Sequence, residues 1–365
     1  MSAGHVATES GDDRYDALLL LSFGGPNGPD DVLPFLRNVT AGRNVPDERL
    51  AVVAEQYEMF GGASPINEQN LALIDALRLE FEAHGIDLPI YYGNRNWEPY
   101  VADTVRVMRD DGVRRALVLA TSAFSSYSGC RQYREDLERA EAEVAADGAG
   151  APELHKLRLY YNHPGFIDAV VDRIAAVHRP SARLVFTAHS IPNSMAAWCE
   201  YEPQLMEMGA LVAERLGADD WDLTYQSRSG PPQVPWLEPD VNDHLEELAA
   251  KGITEVTLMP LGFVSDHMEV KFDLDHQAQE TSAELGIDLR RAPTVGTHPA
   301  FVSGLRQLVE EKVLDGPVLA VGTAGPWPDP CPAGHCLPPP GTPSGRPGGA
   351  GRPGGAGRPD GAGRP

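Results

Sequence analysis

Eight short apolar runs, each separated from the next by a longer amphipathic or polar stretch, are the strongest constraint on this chain. Residues 16–23, 88–93, 115–122 and 157–161 form a first set, and 182–190, 222–227, 254–263 and 287–292 a second. Runs this short, rich in Leu and Val and bounded by turn residues, read as strands of a parallel sheet. The amphipathic stretches, several ending at Gly, read as the helices that cover it. The expected fold is therefore α/β, with two similar Rossmann-like domains. Each would carry a four-stranded parallel sheet flanked by helices, with a cleft between the domains. The literal sequence shows no repeat. The expected division is residues 15–162 and 163–316, the second closing on a helix, followed by a Cys-containing extension, 317–336. Residues 1–14 and 337–365 are expected to be a disordered leader and a disordered tail, the tail being Gly, Pro, Ala and Arg in imperfect GRPGGA repeats.

The net charge of −23 makes nucleic acid a poor partner and favours cations in any cleft that the acidic surface lines. No apolar run reaches the roughly 20 residues of a membrane helix, and the polar, acidic start is unlike a targeting peptide. The expected location is the cytoplasm, without stable membrane insertion. Four cysteines, Cys130, Cys199, Cys331 and Cys336, do not make a disulfide scaffold in a chain of 365 residues.

Ligands of open α/β sheets sit beyond the carboxyl ends of the strands, and four strand exits here are chemically unusual. SFGGP places Gly24 and Gly25 after the first strand, without the pattern of a dinucleotide or P-loop site. TSAFSSYSGC follows the third. TAHSIP puts His189 at the tip of the fifth. Ser190 beside it points to the opposite face of an extended chain, so the two make no nucleophile and base pair. GFVSDHMEVKFDLDH, residues 262–276, follows the seventh strand. Glu269 and Asp273, four apart, share one face of a helix there, and His276 follows. Asp266 and His267 are read as shaping the turn. One imidazole and one carboxylate across a cleft suit a divalent metal in transit, whereas the plainest alternative is an exposed acidic helix face.

These exits together resemble the ferrochelatases. SFGGP, EQYEMFGGASPIN, YYGNRNWEPY, TSAFSSYSGCRQY, TAHSIP, YQSRSGPPQVPWLEPDV and GFVSDHMEV occur in the family's order, over nearly all of residues 16–314. The details look like the actinobacterial branch of coproporphyrin ferrochelatases. The resemblance implies two chelatase-type domains and insertion of Fe(II) into coproporphyrin III during haem biosynthesis, a lyase reaction that releases two protons. It assigns the metal to His189 and Glu269, and an outward proton or iron path to Asp273. It places Tyr57, Ser64, Arg95 and Tyr133 at the porphyrin, with Phe23 where some relatives have an iron-ligating Tyr. Protoporphyrin IX is the alternative substrate. A non-catalytic haem or porphyrin carrier and a cobalt or nickel chelatase are the alternative functions.

Many members also carry a [2Fe-2S] cluster held by one Cys of the first domain and three of a C-terminal extension. Cys130, Cys331 and Cys336 match three of these, His335 stands where the remaining Cys is expected, and Cys199 is not a family ligand. A Cys₃His cluster, a labile cluster and free thiols remain alternatives. The implied partners are porphyrin and Fe(II), with transient contacts to other enzymes of the haem pathway.

Overall fold

The computed structural model describes residues 14–42, 45–230 and 232–338, so the expected leader before Arg14 and the tail from residue 339 lie outside the described residues. The first half runs β1 (Ala17–Ser22), α1 (Pro29–Val39), α2 (Asp47–Glu58), α3 (Ile66–Ala83), β2 (Ile90–Asn94), α4 (Val101–Asp110), β3 (Arg115–Ala120), α5 (Gln132–Ala146) and β4 (Glu153–Lys156). The second runs α6 (Pro164–Ala175), β5 (Arg183–His189), α7 (Asn193–Ala196), α8 (Tyr201–Leu216), β6 (Trp221–Gln226), α9 (Val241–Ala250), β7 (Glu255–Met259), α10 (Met268–Phe272), α11 (Ala278–Leu285), β8 (Asp288–Arg291) and α12 (Pro299–Val313). Short π-helical turns, Tyr127–Arg131 and Asp273–Gln277, lead into α5 and α11.

The strands form two four-stranded parallel sheets of the same order, β2-β1-β3-β4 and β6-β5-β7-β8. Alternation along β1 divides its side chains between two cores. Ala17, Leu19 and Leu21 pack with Val105 and Met108 of α4 and Leu137 of α5. Leu18 and Leu20 join a larger core that also takes Phe186 and Ala188 of β5, Leu77 of α3, Phe166 of α6, Met208 of α8 and Phe301 of α12. That core runs unbroken from one sheet to the other. Burying each such Leu or Phe contributes about 1.5–3 kcal/mol, so the cleft is framed by two sheets held on one shared interior.

The fourth run differs from expectation. Residues 157–161 are not a strand; β4 lies just before them, at Glu153–Lys156. The Leu157 amide still donates to the Val118 carbonyl (2.9 Å), and the chain then leaves the sheet. Tyr160 and Tyr161 enter the shared core, and Arg158 forms a two-pronged pair with Glu311 of α12 (2.9 and 2.6 Å), both side chains under 5% exposed. Glu311→Ala strands that guanidinium in the interior and is expected to cost about 3–5 kcal/mol. Arg158→Met with Glu311→Leu should recover most of it, and denaturant unfolding of both proteins checks this. A loss below about 1 kcal/mol for the single change, the worth of an exposed pair, would contradict it.

Superposing the sheet orders exposes repeats the literal sequence hides. His163-Pro164-Gly165-Phe166 and His298-Pro299-Ala300-Phe301 begin α6 and α12 alike, each His ring accepting the amide two residues on. The two helices cross where Gly165 faces Gly304 and Phe166 meets Phe301 at 5.1 Å. Likewise the Asn94 amide donates to the Pro99 carbonyl before α4, and the Tyr225 amide to the Pro239 carbonyl before α9, each after a Glu-Pro pair.

Candidate active site

In each sheet the order reverses between the first and third strands, the place where open α/β sheets bind ligands. In the second sheet those strands are β5 and β7. His189 is the last residue of β5, and Glu269 lies in the first turn of α10, after β7. The fold therefore brings the imidazole and the carboxylate together from opposite sides of the reversal. His189 Nε2 stands 3.4 Å from Glu269 Oε2.

Backbone contacts fix the imidazole. His189 Nδ1 donates to the Ser190 carbonyl (2.5 Å), which leaves Nε2 aimed at Glu269, and the Tyr201 hydroxyl donates to the His189 carbonyl (3.1 Å). Burial alone would lower the His189 pKa, but the facing Glu269 charge outweighs it and raises the value from 6.5 to about 9. For Glu269, burial pushes up and His189 more than compensates, bringing the carboxylate down from 4.5 to about 2. About half of the Glu269 side chain faces the open cleft, but protein surrounds the rest, so its neighbours rather than its contact area set its charge. At neutral pH the resting pair is an imidazolium and a carboxylate.

Asp273 follows Glu269 by one helical turn, its amide still donating to the Glu269 carbonyl. Burial first, then the Glu269 charge, raises its carboxyl from 3.8 to about 7, opposed by the Ser227 hydroxyl that donates to it. Ser227 has φ 63°, a left-handed conformation that an L residue holds only when its surroundings demand it. Ser227 was missed by the sequence reading, since nothing in QSRSGP announces a left-handed serine. Beyond Asp273 the wide π turn changes the register. Asp275 goes to Arg291 and Lys271, and His276 to Glu280 (3.5 Å), while Asp266 also pairs with Arg291. His267 packs edge-on against Phe263 (4.8 Å) with Nδ1 3.9 Å from Glu269.

Tyr57 joins the pair from the first half of the chain. Its phenol is pushed well above the usual range by burial and by the Glu269 charge. Phe35 links Tyr57 (6.3 Å) to Phe23 (6.4 Å), and the partly exposed Phe23 gives the cleft an aromatic wall. Met268, next to Glu269, packs into the same cluster with Phe35 and Tyr57. Gly24 and Gly25 allow close chain approach: a Cβ on Gly25 would lie 2.6 Å from that of Ser64, and one on Gly24 2.8 Å from that of Asn94. Ser64 is thereby buried beneath the first strand exit.

Arg95 and Tyr133 lie together but face inward. The Arg95 guanidinium sits 4.3 Å above the Tyr133 ring and donates to Asp136 (2.5 Å) and to the Ser128 carbonyl (3.3 Å). The resemblance places Arg95 at the porphyrin, whereas its carboxylate partner in this structure is Asp136, on α5. Both side chains are buried.

The cysteines gather away from the cleft, at the seam where residues 317–336 cross both halves. Cys130, in the first π turn, and Cys336 are buried with Leu159, and Cys331, Cys199 and Trp327 pack around them. The thiols of Cys331 and Cys336 both turn to the Cys130 sulfur and hold its pKa well below the usual thiol range, with Lys156 and Arg134 as nearby positive charges. The His335 ring stands edge-on to Trp327 (5.6 Å). A cavity of about 230 Å³ opens beside Cys130 and Cys331, and no residue of the His189 site lines it. Among the described residues no three His, Cys, Asp or Glu side chains are grouped to hold a single metal ion, and no helix is long and apolar enough to cross a membrane.

The two-sheet architecture is that of a chelatase: the structure of SirB from Bacillus subtilis with Fe3+ covers 82% of this chain and 96% of its own at a TM-score of 0.54, with 13% identity. At that identity the likeness shows the fold alone. Sequence gives the family. The ferrochelatase family model matches residues 15–313, and the chain belongs to that family. It is 54% identical over 333 residues to the ferrochelatase of Rhodopirellula baltica and 51% identical over 349 residues to the coproporphyrin III ferrochelatase of Streptomyces coelicolor. In both comparisons 88% of this chain and 93% of the relative are covered.

Proposed function

We propose that this chain inserts Fe(II) into coproporphyrin III, releasing two protons and forming the iron porphyrin used in haem synthesis. The observation that carries this reading is the His189–Glu269 pair at the chain reversal of the second sheet, beside the aromatic wall of the first. Relatives named coproporphyrin III ferrochelatase support the choice of porphyrin. Steady-state kinetics with Fe(II) and each of two porphyrins test it. The expected result is a kcat/KM for coproporphyrin III at least ~10-fold above that for protoporphyrin IX, since burying unpaired polar groups discriminates strongly. A preference for protoporphyrin IX would sink the choice.

The chemistry follows from the charges. Fe(II) arriving as substrate displaces the proton from His189 Nε2 and binds between Nε2 and the Glu269 carboxylate, a mixed N and O pair that holds it loosely. As the metal passes to the macrocycle, two pyrrole N–H protons leave. His189 Nε2 takes them one at a time: Asp273, with a pKa near the working pH, passes the first outward, as it does the proton that the metal displaced, and the second restores the imidazolium, so two protons leave per turnover. Fe(II) insertion should therefore rise with pH through about 7 as Asp273 ionises. Asp273→Asn is expected to slow turnover by ~10–100-fold and to remove that inflection from the pH–rate profile. A variant that keeps both rate and inflection would remove Asp273 from the path.

Phe23 and Tyr57 are assigned to the porphyrin face and Ser64 to a substrate carboxylate. Arg95 and Tyr133 act from behind, bracing the wall that the porphyrin meets. The division at residues 15–162 and 163–316, with its closing helix, belongs to the same reading, as do a cytoplasmic location and freedom from nucleic acid. We also assign a [2Fe-2S] cluster to Cys130, Cys331 and Cys336. The donors fit: three soft sulfurs, two of them buried and that of Cys331 partly so, meet beside Lys156 and Arg134, and such a cluster divides four ligands between two irons rather than gathering them on one.

A further inference from the structure

We infer that Cys199, and not His335, is the fourth ligand of this cluster, an inference that rests on the assignment of Cys130, Cys331 and Cys336. The extension supplies two cysteines where a three-cysteine set was expected, so the missing sulfur must come from elsewhere or the site is incomplete. Cys199 packs on the apolar cluster that holds the other three, and its electrostatic neighbours are Cys130 and Glu200. The backbone ties it there: the Cys336 amide donates to the carbonyl of Trp198 (2.8 Å), the residue before Cys199. Cys336 reaches this bond with φ 56°, a conformation costly for a side chain with a Cβ, which fixes its sulfur inward and fully buried.

The Cys199 thiol is also cheap to redirect. Its thiol donates to the Met195 and Ala196 carbonyls at 3.5 and 3.6 Å, weak bonds that a metal replaces at little loss, and the Tyr201 amide donates to its sulfur, a contact that a ligating thiolate keeps. The loop that precedes Cys130 is fastened to the segment after Cys199, the Glu200 amide donating to the Ser125 hydroxyl (2.9 Å) and the Ser125 amide to the Gln204 side chain (2.7 Å). These bonds hold the two segments in register across the seam. His335 is partly buried as Cys199 is, but its ring stands against Trp327 and its carbonyl accepts from Arg131 (3.4 Å). Soft thiolates also suit iron–sulfur clusters better than imidazole does.

The arrangement links the cluster to the active site. Residues 190–199 run from His189 through α7 to Cys199, so the cluster clamps the segment carrying the metal-site imidazole to the first half of the chain and to the extension.

The test uses the full chain purified without oxygen, with iron and acid-labile sulfide counted per chain and paramagnetic resonance recorded after reduction. The wild type is expected to hold a reducible cluster without strong nitrogen hyperfine coupling from a ligand. His335→Ala should keep content and spectrum. Cys199→Ala should lower content by at least ~10-fold, as removing even a supporting group does, and Cys199→Ser should give a weakened or altered signal. A cluster in Cys199→Ala with wild-type content and spectrum overturns the assignment of Cys199 alone. So does nitrogen coupling in the wild type that vanishes in His335→Ala, a readout that holds even if the Cys199 variants fold poorly. A wild type without iron and sulfide, both as purified and after reconstitution, overturns the cluster itself.

Discussion

Replacing His189 with alanine is expected to lower kcat for iron insertion by on the order of 10³-fold while porphyrin affinity stays within about 3-fold. The first figure follows from removing, in one residue, both the proposed metal ligand and the proposed proton acceptor of the reacting centre. The second follows from the geometry. The imidazole faces Glu269, and the apolar wall proposed to receive the macrocycle is built from Phe23, Phe35 and Tyr57, none of which needs His189 for its packing. Its Nδ1 contact is to a backbone carbonyl next in sequence, and the one distant partner its loss leaves uncompensated, Glu269, has about half of its side chain open to solvent. Anaerobic turnover and porphyrin fluorescence titration on the same samples separate the two effects. Equal losses in both would make His189 a structural residue of the cleft.

Glutamine at Glu269 is expected to lower kcat by about 10²–10⁴-fold and also to move the charge of its neighbour. Burial is the largest influence on His189, and only the Glu269 charge and smaller helpers lift its pKa to about 9. Without that charge the value should fall to or below its ordinary 6.5, read by titrating the imidazole resonance. A value still near 9 would place the stabilising charge elsewhere. The sign of the pH linkage follows. The His189 pKa is raised on folding, so pairing contributes stability that is fully present below pH 6.5 and lost as pH rises through about 9. The Glu269 side of the same contact is present above pH 4.5 and lost as pH falls through about 2. A metal entering the site competes with the same proton, so divalent cation affinity should rise up to pH 9 in the wild type and level off much earlier in Glu269→Gln.

The strands were legible because parallel strands buried on both faces are written as unbroken Leu and Val runs, as in Ala17–Ser22. The rule failed at the sheet edge. Glu153–Lys156 is polar because an edge strand has an open side, and the more apolar residues 157–161 were needed by the core between the halves. His189, Glu269 and Asp273 were visible as ligand types at strand exits. The inward turn of Arg95 was not, since its partner Asp136 lies 41 residues away on α5 with no marker of its own. The internal repeat escaped because only the turn chemistry of the His-Pro and Glu-Pro segments persists, while the helices after them share a pattern and not residues. Cys199 matches no ligand of the family that the sequence resembles, and only the seam brings it, 69 residues away in sequence, beside Cys130.

The central claim is that the His189–Glu269 pair receives the metal, and anomalous diffraction from crystals soaked in a divalent cation near pH 8 tests it most directly. The predicted result is a peak between His189 Nε2 and the Glu269 carboxylate that disappears in His189→Ala. A cation bound elsewhere in the cleft with that pair left empty would contradict it.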